Sequence, residues 1–232
     1  MTRRVVLPGE TVDVSVTSED IDATQPVRLG PGLRQAEAEV CAVRGGQLQA
    51  QPEARRWWIE SNKKRYVPAL GEPVVGQVIS RHAEEYKVDI GGAHSAVLQA
   101  MAFEGATKKN RPNIKVGALI YARVSLADKD MEPELECLNP TTGRSEGYGE
   151  LKDGFMITCS LGHCRRLLRP GAAILRALGQ HVPFELAVGM NGRVWLRADS
   201  VPHTILTANA ITRSEGIYHA CRRLVKQLLQ QI

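Results

Sequence analysis

Residues 119–126 read Leu-Ile-Tyr-Ala-Arg-Val-Ser-Leu, and this octet indicates the architecture of the middle of the chain. Ile120, Ala122 and Val124 alternate with larger or polar neighbours, which is the period of two of a half-buried strand. Four more strand candidates surround it, at 74–80, 86–90, 95–99 and 135–138. Five short strands in about 75 residues, several separated by glycines, predict a Greek-key barrel of the OB type.

The pattern changes on both sides of this barrel. Residues 1–66 are rich in Val, Gly and Pro and carry short alternating runs, which predicts a small all-β domain. Residues 149–232 predict the order strand, helix, helix, strand, strand, helix, which is that of a KH-like α/β module. The chain is therefore interpreted as an α+β multidomain protein with domains at 1–66, 67–148 and 149–232.

The elements of the last domain follow from local signals. Strands at 184–188 and 193–197 are joined across Gly189-Met190-Asn191-Gly192, and Asn-Gly between alternating runs is a strong hairpin signal. Short helices are predicted at 161–169, ended by Pro170, and at 172–179. A closing helix is predicted from about Ser214, with an apolar stripe formed by Ile217, Cys221, Leu224, Val225, Leu228, Leu229 and Ile232.

Composition narrows the class of protein. The 232 residues are 43% hydrophobic and 24% charged, which excludes wholesale disorder, collagen and a coiled coil. The formal net charge is +5; the last domain, with eleven basic and five acidic residues, has a charge of +6, and the first two domains together have −1. Five scattered cysteines without a C-x-x-C pair argue against a disulfide framework or zinc ribbon and indicate a reducing compartment. No apolar run is long enough for a membrane span, so no membrane partner is predicted.

The sequence offers little indication of a catalytic site. The sequence has no Walker, H-E-x-x-H or G-x-G-x-x-G pattern. Cys159, His163 and Cys164 form the one close Cys/His cluster, but their spacing matches no standard zinc site and favours a structural role. A carboxylate run could bind magnesium, although its alternation favours a solvated face: Asp128, Asp130, Glu132, Glu134 and Glu136. We therefore predict no catalytic residue, metal site or cofactor.

Basic residues before the fourth barrel strand are the strongest functional signal. Residues 107–115, TKKNRPNIK, contain no acid, and phosphate contacts require cations on loops at the mouth of an OB groove. A merely solvated loop is the alternative. The candidate RNA-binding residues of this segment are Lys108, Lys109, Asn110 and Arg111.

Two aromatic residues are ambiguous. Tyr86, on the second barrel strand, is predicted either to stack on a base or to belong to the core. Trp195 lies between Arg193 and Arg197 on one strand face, which permits base stacking, but packing at a domain interface is favoured.

Several strings make the chain similar to a known family. They are 6–10 VLPGE, 29–34 LGPGLR, 64–68 KRYVP, 87–92 KVDIGG, 103–112 FEGATKKNRP, 129–134 KDMEPE and 189–193 GMNGR. The chain resembles the eukaryotic RNA exosome cap subunits of the ribosomal-RNA-processing type, which combine an N-terminal β domain, an S1 domain and a KH domain.

The resemblance implies a non-catalytic RNA-binding subunit. It would sit with other cap subunits on a ring of RNase-PH-like subunits and guide single-stranded RNA into the central pore for 3′–5′ degradation and processing. It also implies the nucleus, including the nucleolus, and the cytoplasm. An autonomous RNA-processing enzyme and a ribosome-associated OB-fold protein are the alternatives.

One departure from ordinary KH domains concerns the glycine motif. An RNA-gripping KH domain carries G-x-x-G between two helices, where it clamps the nucleotide backbone. Here the motif lies between two strands, and the family resemblance implies a structural role at the interface with the S1 domain. The interface residues expected on this basis are Gly189, Asn191, Gly192 and Trp195.

Overall fold

The structure is a computed structural model that describes residues 4–14, 26–36, 39–51, 54–107, 110–216, 225 and 227. The chain divides into two compact units, Met1–Asn62 and Lys63–Ile232. Among the described residues, no helix has the length and apolar character needed to cross a bilayer.

The first unit consists of short strands, as predicted. β1, β5, β6 and β2 form one sheet in that order, and β3 pairs with β4 in a hairpin. Val6, Val12, Ala42 and Ile59 form its core. The strands are β1 Val5–Val6, β2 Arg28–Leu29, β3 Leu33–Ala36, β4 Glu39–Ala42, β5 Gly46–Gln51 and β6 Arg56–Glu60.

The second unit begins with the predicted barrel. Its strands are β7 Pro73–Arg81, β8 Glu85–Asp89, β9 Ala96–Phe103, β10 Leu119–Leu126 and β11 Glu134–Cys137. The sheet order is β11-β9-β8-β7-β10, and pairing of β11 with β10 closes it. A sixth strand, β12 Gly149–Leu151, pairs with the start of β10 and was not predicted. The OB-type barrel is therefore confirmed.

The alternation that predicted β10 has the expected cause. Ile120, Ala122 and Val124 are at most 1% exposed and join the barrel core. Tyr121 and Arg123 point to the opposite face and are half-buried. Because the period of a strand is two, a shift of one residue would move the whole apolar set out of the core.

The KH-like region follows in the predicted order. Its elements are β13 Phe155–Thr158, α1 Leu161–Leu167, α2 Ala173–Gly179, β14 Phe184–Val188, β15 Arg193–Ala198 and α3 Val201–Arg213. The sheet has the order β13-β15-β14. The three helices cover one face of it through a core that includes Leu178, Leu196 and Ile211.

The structure contains a helix at 201–213 that the sequence did not predict. We assigned no helix to 201–213, yet α3 occupies that stretch and ends where the closing helix was expected to begin. The Ser200 side chain accepts a hydrogen bond from the His203 amide at 3.4 Å, and Pro202 stands in the first turn, where its missing N–H costs nothing. A 3-10 turn, Ser214–Gly216, follows. Apart from Val225, the predicted stripe from Ile217 onward lies outside the described residues.

Candidate nucleic-acid interface

The loop between β9 and β10 carries the predicted RNA-binding residues. Lys108 and Lys109 lie outside the described residues, but their chain neighbours are fixed to each other. The Thr107 amide donates to the Asn110 carbonyl, and the Asn110 amide donates to the Thr107 hydroxyl, both at 3.0 Å. Asn110 itself is exposed.

Arg111 fastens this loop to the turn between β7 and β8. Its Nη1 donates to the Ala83 carbonyl at 2.7 Å, and its Nη2 lies 3.4 Å from Glu84 Oε1. Its side chain is one-third exposed. Because both terminal nitrogens of the guanidinium already contact the barrel, the first role of Arg111 is to hold the loop in position.

Tyr86 does not present its ring to solvent. It is 3% exposed, meets Phe103 edge-on with ring centroids 6.5 Å apart, and donates its hydroxyl proton to the Pro112 carbonyl. The base-stacking interpretation of Tyr86 is therefore wrong, and the core interpretation holds. The hydroxyl still matters to the site, because it holds the same loop that Arg111 holds.

Arg81, which the sequence did not indicate, and Lys115, the last residue of the predicted basic segment, are two more cations at this loop. Arg81, at the end of β7, donates to the Asn113 side chain, and Lys115 is exposed. Ile114, the residue before Lys115, is 2% exposed, and its side chain anchors the loop in the barrel core. We call residues 81–84 with loop 104–118 the barrel corner. Arg81 could have been found from its place at a strand end, but nothing in the sequence showed that the loop folds onto it.

The second predicted group lies where the KH-like region meets the barrel. Asn191 is 7% exposed, and its side chain makes three hydrogen bonds to barrel backbone. Its Oδ1 accepts from the Val75 amide at 3.2 Å, and its Nδ2 donates to the carbonyls of Val75 at 2.8 Å and Ile90 at 2.9 Å. These bonds use the full donor capacity of a primary amide.

Both glycines of the motif are sterically required. A Cβ atom on Gly189 would lie 2.2 Å from Asn191 Oδ1 and 2.6 Å from the Val75 nitrogen. Gly192 has φ +82°, and a Cβ there would lie 2.8 Å from the Cys159 carbonyl oxygen. Glycine at 189 therefore lets the hairpin approach the barrel, and glycine at 192 lets the hairpin turn close to the Cys159 backbone.

Trp195 packs at the same interface and is 5% exposed. It forms an apolar cluster with Val75 of the barrel and Ala187 of β14, and Met156 packs against that cluster. Gly154 approaches the indole so closely that an added Cβ would lie 2.2 Å from it. The ring leaves no face open to a nucleotide base.

An ion pair that was not predicted from the sequence also lies at this interface. Arg193 Nη2 lies 2.6 Å from Asp89 Oδ2, and Arg193 Nη1 donates to the Asp89 carbonyl at 2.6 Å. Burial opposes ionisation of Asp89, but the bonds from Arg193 and the Gly91 amide outweigh it and hold the pKa of this carboxyl below its usual value. The residues are 104 apart in the chain.

The Cys/His cluster is part of the KH-like core. Arg166 donates to His163 Nδ1 at 3.1 Å, and His163 Nε2 lies 3.0 Å from the Ile211 carbonyl, which fits a neutral ring protonated on Nε2. Burial and the Arg166 charge lower the pKa of His163. Cys164 is fully buried. In the described part of the chain, no three His, Cys, Asp or Glu side chains are grouped as metal ligands.

Comparison with known proteins agrees with this geometry. Three family models match: "Exosome complex exonuclease Rrp40 N-terminal domain" at 27–65, "Exosome complex component RRP40, S1 domain" at 66–149, and "KH domain" at 154–202. The exosome complex component rrp40 of Schizosaccharomyces pombe is 49% identical over 95% of this chain and 94% of its own length. The chain belongs to the RRP40 family of exosome complex components.

Other members of the RRP40 family are similarly related. The human exosome complex component RRP40 is 35% identical over 99% of this chain and 88% of its own length. A solved structure described as a putative exosome complex RNA-binding protein has a TM-score of 0.61 at 24% identity, covering 72% of this chain and 97% of that one. At that identity it supports the fold alone.

Proposed function

We propose that this chain is a non-catalytic, RNA-binding cap subunit of the RNA exosome. In this proposal it stabilises a ring of RNase-PH-like subunits beside other cap subunits and guides single-stranded RNA into the central pore for 3′–5′ degradation and processing. The observation that carries the proposal is the 49% identity, over nearly the whole chain, to an exosome complex component.

The barrel corner supports the RNA-binding part. Arg81, Arg111 and Lys115 belong to it, and Lys108 and Lys109 belong to the same loop in sequence. The contacts that hold that loop to the barrel include the Arg111–Ala83 bond, the Tyr86–Pro112 bond and the buried Ile114 side chain. A loop held in place loses less conformational entropy when a phosphate binds.

The Cys/His cluster supports the non-catalytic part. The ring nitrogens of His163 are already hydrogen-bonded, and Cys164 is sealed from solvent. The cluster therefore has a structural role in the packing of α1 against α3. An autonomous RNA-processing enzyme, the first alternative, would need other residues to act.

The assembly part is tested by gentle purification of the tagged chain from its own cells, followed by native mass spectrometry. We expect a complex of about nine or more subunits that includes RNase-PH-like proteins. Recovery with ribosomes would favour the second alternative, a ribosome-associated OB-fold protein. Recovery as a monomer that cleaves RNA would favour the enzyme.

The RNA-binding part is tested in the reconstituted complex. Replacing Lys108, Lys109 and Lys115 with alanine should shorten the RNA segment protected from nuclease without changing assembly. Lys129→Ala, at an exposed lysine after β10, is the matched control. Equal protection by the two variants would remove the loop lysines from the RNA path.

The proposal extends to localisation in the nucleus, including the nucleolus, and in the cytoplasm. Fluorescence microscopy of the chain tagged at its own locus tests it. Exclusion from the nucleus would contradict it.

A further inference from the structure

We propose that Asn191 is a site of spontaneous deamidation, that docking of the β14–β15 hairpin on the barrel keeps this site closed, and that the modification prevents the hairpin from docking again. Asn191 is followed by Gly192, and this is the one Asn-Gly pair in the 232 residues. The inference does not depend on the proposed function, because it concerns only the chemistry and the packing of this hairpin.

The reaction needs only water as a co-reactant. The backbone nitrogen of Gly192 forms a bond to the side-chain carbonyl carbon of Asn191. The bond from that carbon to Nδ2 breaks, and Nδ2 leaves as ammonia with the proton of the Gly192 amide. Water then opens the cyclic imide at either carbonyl, which gives aspartate or isoaspartate, and no atom is oxidised or reduced. Glycine favours the attack because it has no Cβ to hinder its nitrogen.

The docked hairpin opposes each step of this attack. Turning the Asn191 side chain toward the Gly192 nitrogen would break its three hydrogen bonds to the Val75 and Ile90 backbone. The Gly192 amide is itself engaged, since it donates to the Gly189 carbonyl at 3.3 Å. Asn191 is also buried, so water has little access to it. Deamidation therefore requires the hairpin to leave the barrel, and its rate follows the fraction of opened chains.

The products do not fit the place that the amide occupies. In aspartate an oxygen replaces the Nδ2 that donates to the Val75 carbonyl at 2.8 Å and to the Ile90 carbonyl at 2.9 Å. A buried carboxylate that faces two carbonyl oxygens carries both a desolvation penalty and a repulsion. Isoaspartate lengthens the backbone of a turn in which a Cβ on Gly189 would already lie 2.2 Å from Asn191 Oδ1. Chains that open and deamidate therefore stay open.

The first measurement is the rate of deamidation at Asn191 in the purified full chain at mildly alkaline pH, in buffer and in denaturing urea. Protease digestion and mass spectrometry quantify the amide and acid forms. We expect the rate in buffer to be about 100-fold or more below the rate in urea, because few chains are open. Asn209, followed by Ala210, is the internal reference and should react more slowly than Asn191 in urea. Equal rates at Asn191 in buffer and urea would overturn the inference, as would equal rates at the two asparagines in urea.

A variant far from residue 191 in sequence tests whether the interface sets the rate. Val75→Ala keeps the backbone partners of Asn191 but removes part of the apolar cluster with Trp195 and Ala187. It should raise the rate in buffer about fivefold or more and leave the rate in urea unchanged. The matched control is Val201→Ala, at a position that is exposed on α3. Equal rates for the two variants in buffer would contradict control by the interface.

The effect of the product is measured by hydrogen exchange at the Val75 amide, which donates to Asn191 Oδ1. Asn191→Asp, which carries the main-chain product, should exchange there about tenfold or more faster than wild type. The Val124 amide, which donates to the Glu72 carbonyl within the barrel, should change little. If Asn191→Asp does not fold, wild-type chain deamidated in urea and returned to buffer takes its place. Protection of the Val75 amide equal to wild type in the modified chain would make the inference wrong.

Discussion

The side chain of Asn191 pairs with both polar groups of the Val75 backbone, accepting from its N–H at 3.2 Å and donating to its carbonyl at 2.8 Å. The two residues are 116 positions apart, one in the KH-like hairpin and one in a barrel strand. A primary amide thus acts as one more backbone unit in the sheet and joins the two regions through bonds that resemble strand pairing.

Asn191→Ala should lower the free energy of unfolding by about 2–4 kcal/mol, because it leaves the buried Val75 and Ile90 backbone groups without partners. Urea denaturation measures this. The exposed Asn209→Ala on α3 is the control and should change stability by about 0.5 kcal/mol or less. If Asn191→Ala kept full stability but abolished RNA binding, the structural role would be wrong.

Asp89→Asn should reduce stability in a pH-dependent way. The folded-state pKa of Asp89 is lowered, so its carboxylate stabilises the fold above the unfolded-state pKa of about 3.9, and this contribution is lost as pH falls through the folded-state value. The stability difference from wild type should be constant from about pH 8 to 5 and shrink below about pH 4. Arg193→Gln should give the same profile, and a double variant should add little. A difference that persists unchanged at about pH 2 would contradict the ion pair.

Gly154→Ala should destabilise the protein by about 1–3 kcal/mol, because the new methyl group would overlap the buried Trp195 ring. The matched control is Gly179→Ala, since a Cβ there meets no atom within 4 Å. Thermal unfolding followed by tryptophan fluorescence compares the two. Similar midpoints would mean that the indole moves aside freely.

Tyr86→Phe should loosen the barrel corner while leaving the barrel intact. It removes the hydroxyl that donates to the Pro112 carbonyl, a bond worth about 0.5–1.5 kcal/mol. Hydrogen exchange should become faster at the Asn110 amide, with little change in the strands. Tyr148→Phe, whose ring stacks on Tyr121 at 5.0 Å, is the control. Unchanged exchange at Asn110 would show that Arg111 and Ile114 hold the loop without Tyr86.

The sequence predicted the barrel well because each strand carries its own alternating pattern. The predicted strand 119–126 matches β10, and 184–188 matches β14. The sequence did not predict β12, because three residues are too few to show an alternating pattern. The sequence also did not predict α3. The apolar stripe placed the closing helix after Ser214, although the Ser200 cap and Pro202 mark the start of a helix at 201.

The candidate site was less predictable for a different reason. Composition marked loop 107–115 as basic, but the bonds that hold the loop, Arg111 with Ala83 and Tyr86 with Pro112, join residues 28 and 26 positions apart. The Asp89–Arg193 pair joins residues 104 apart. Local pattern holds no information about such contacts, because only the closed barrel brings those positions together.

The interface around Asn191 has a consequence for modular engineering. A foreign OB barrel grafted before residue 149 would need a free backbone amide and carbonyl at the position of Val75, a carbonyl at the position of Ile90, and a carboxylate at the position of Asp89. Without them the graft would leave the buried Asn191 amide, the Arg193 guanidinium and the Trp195 indole without their barrel partners. The barrel and the KH-like region would therefore have to be exchanged as one piece, although each has the outline of a separate module.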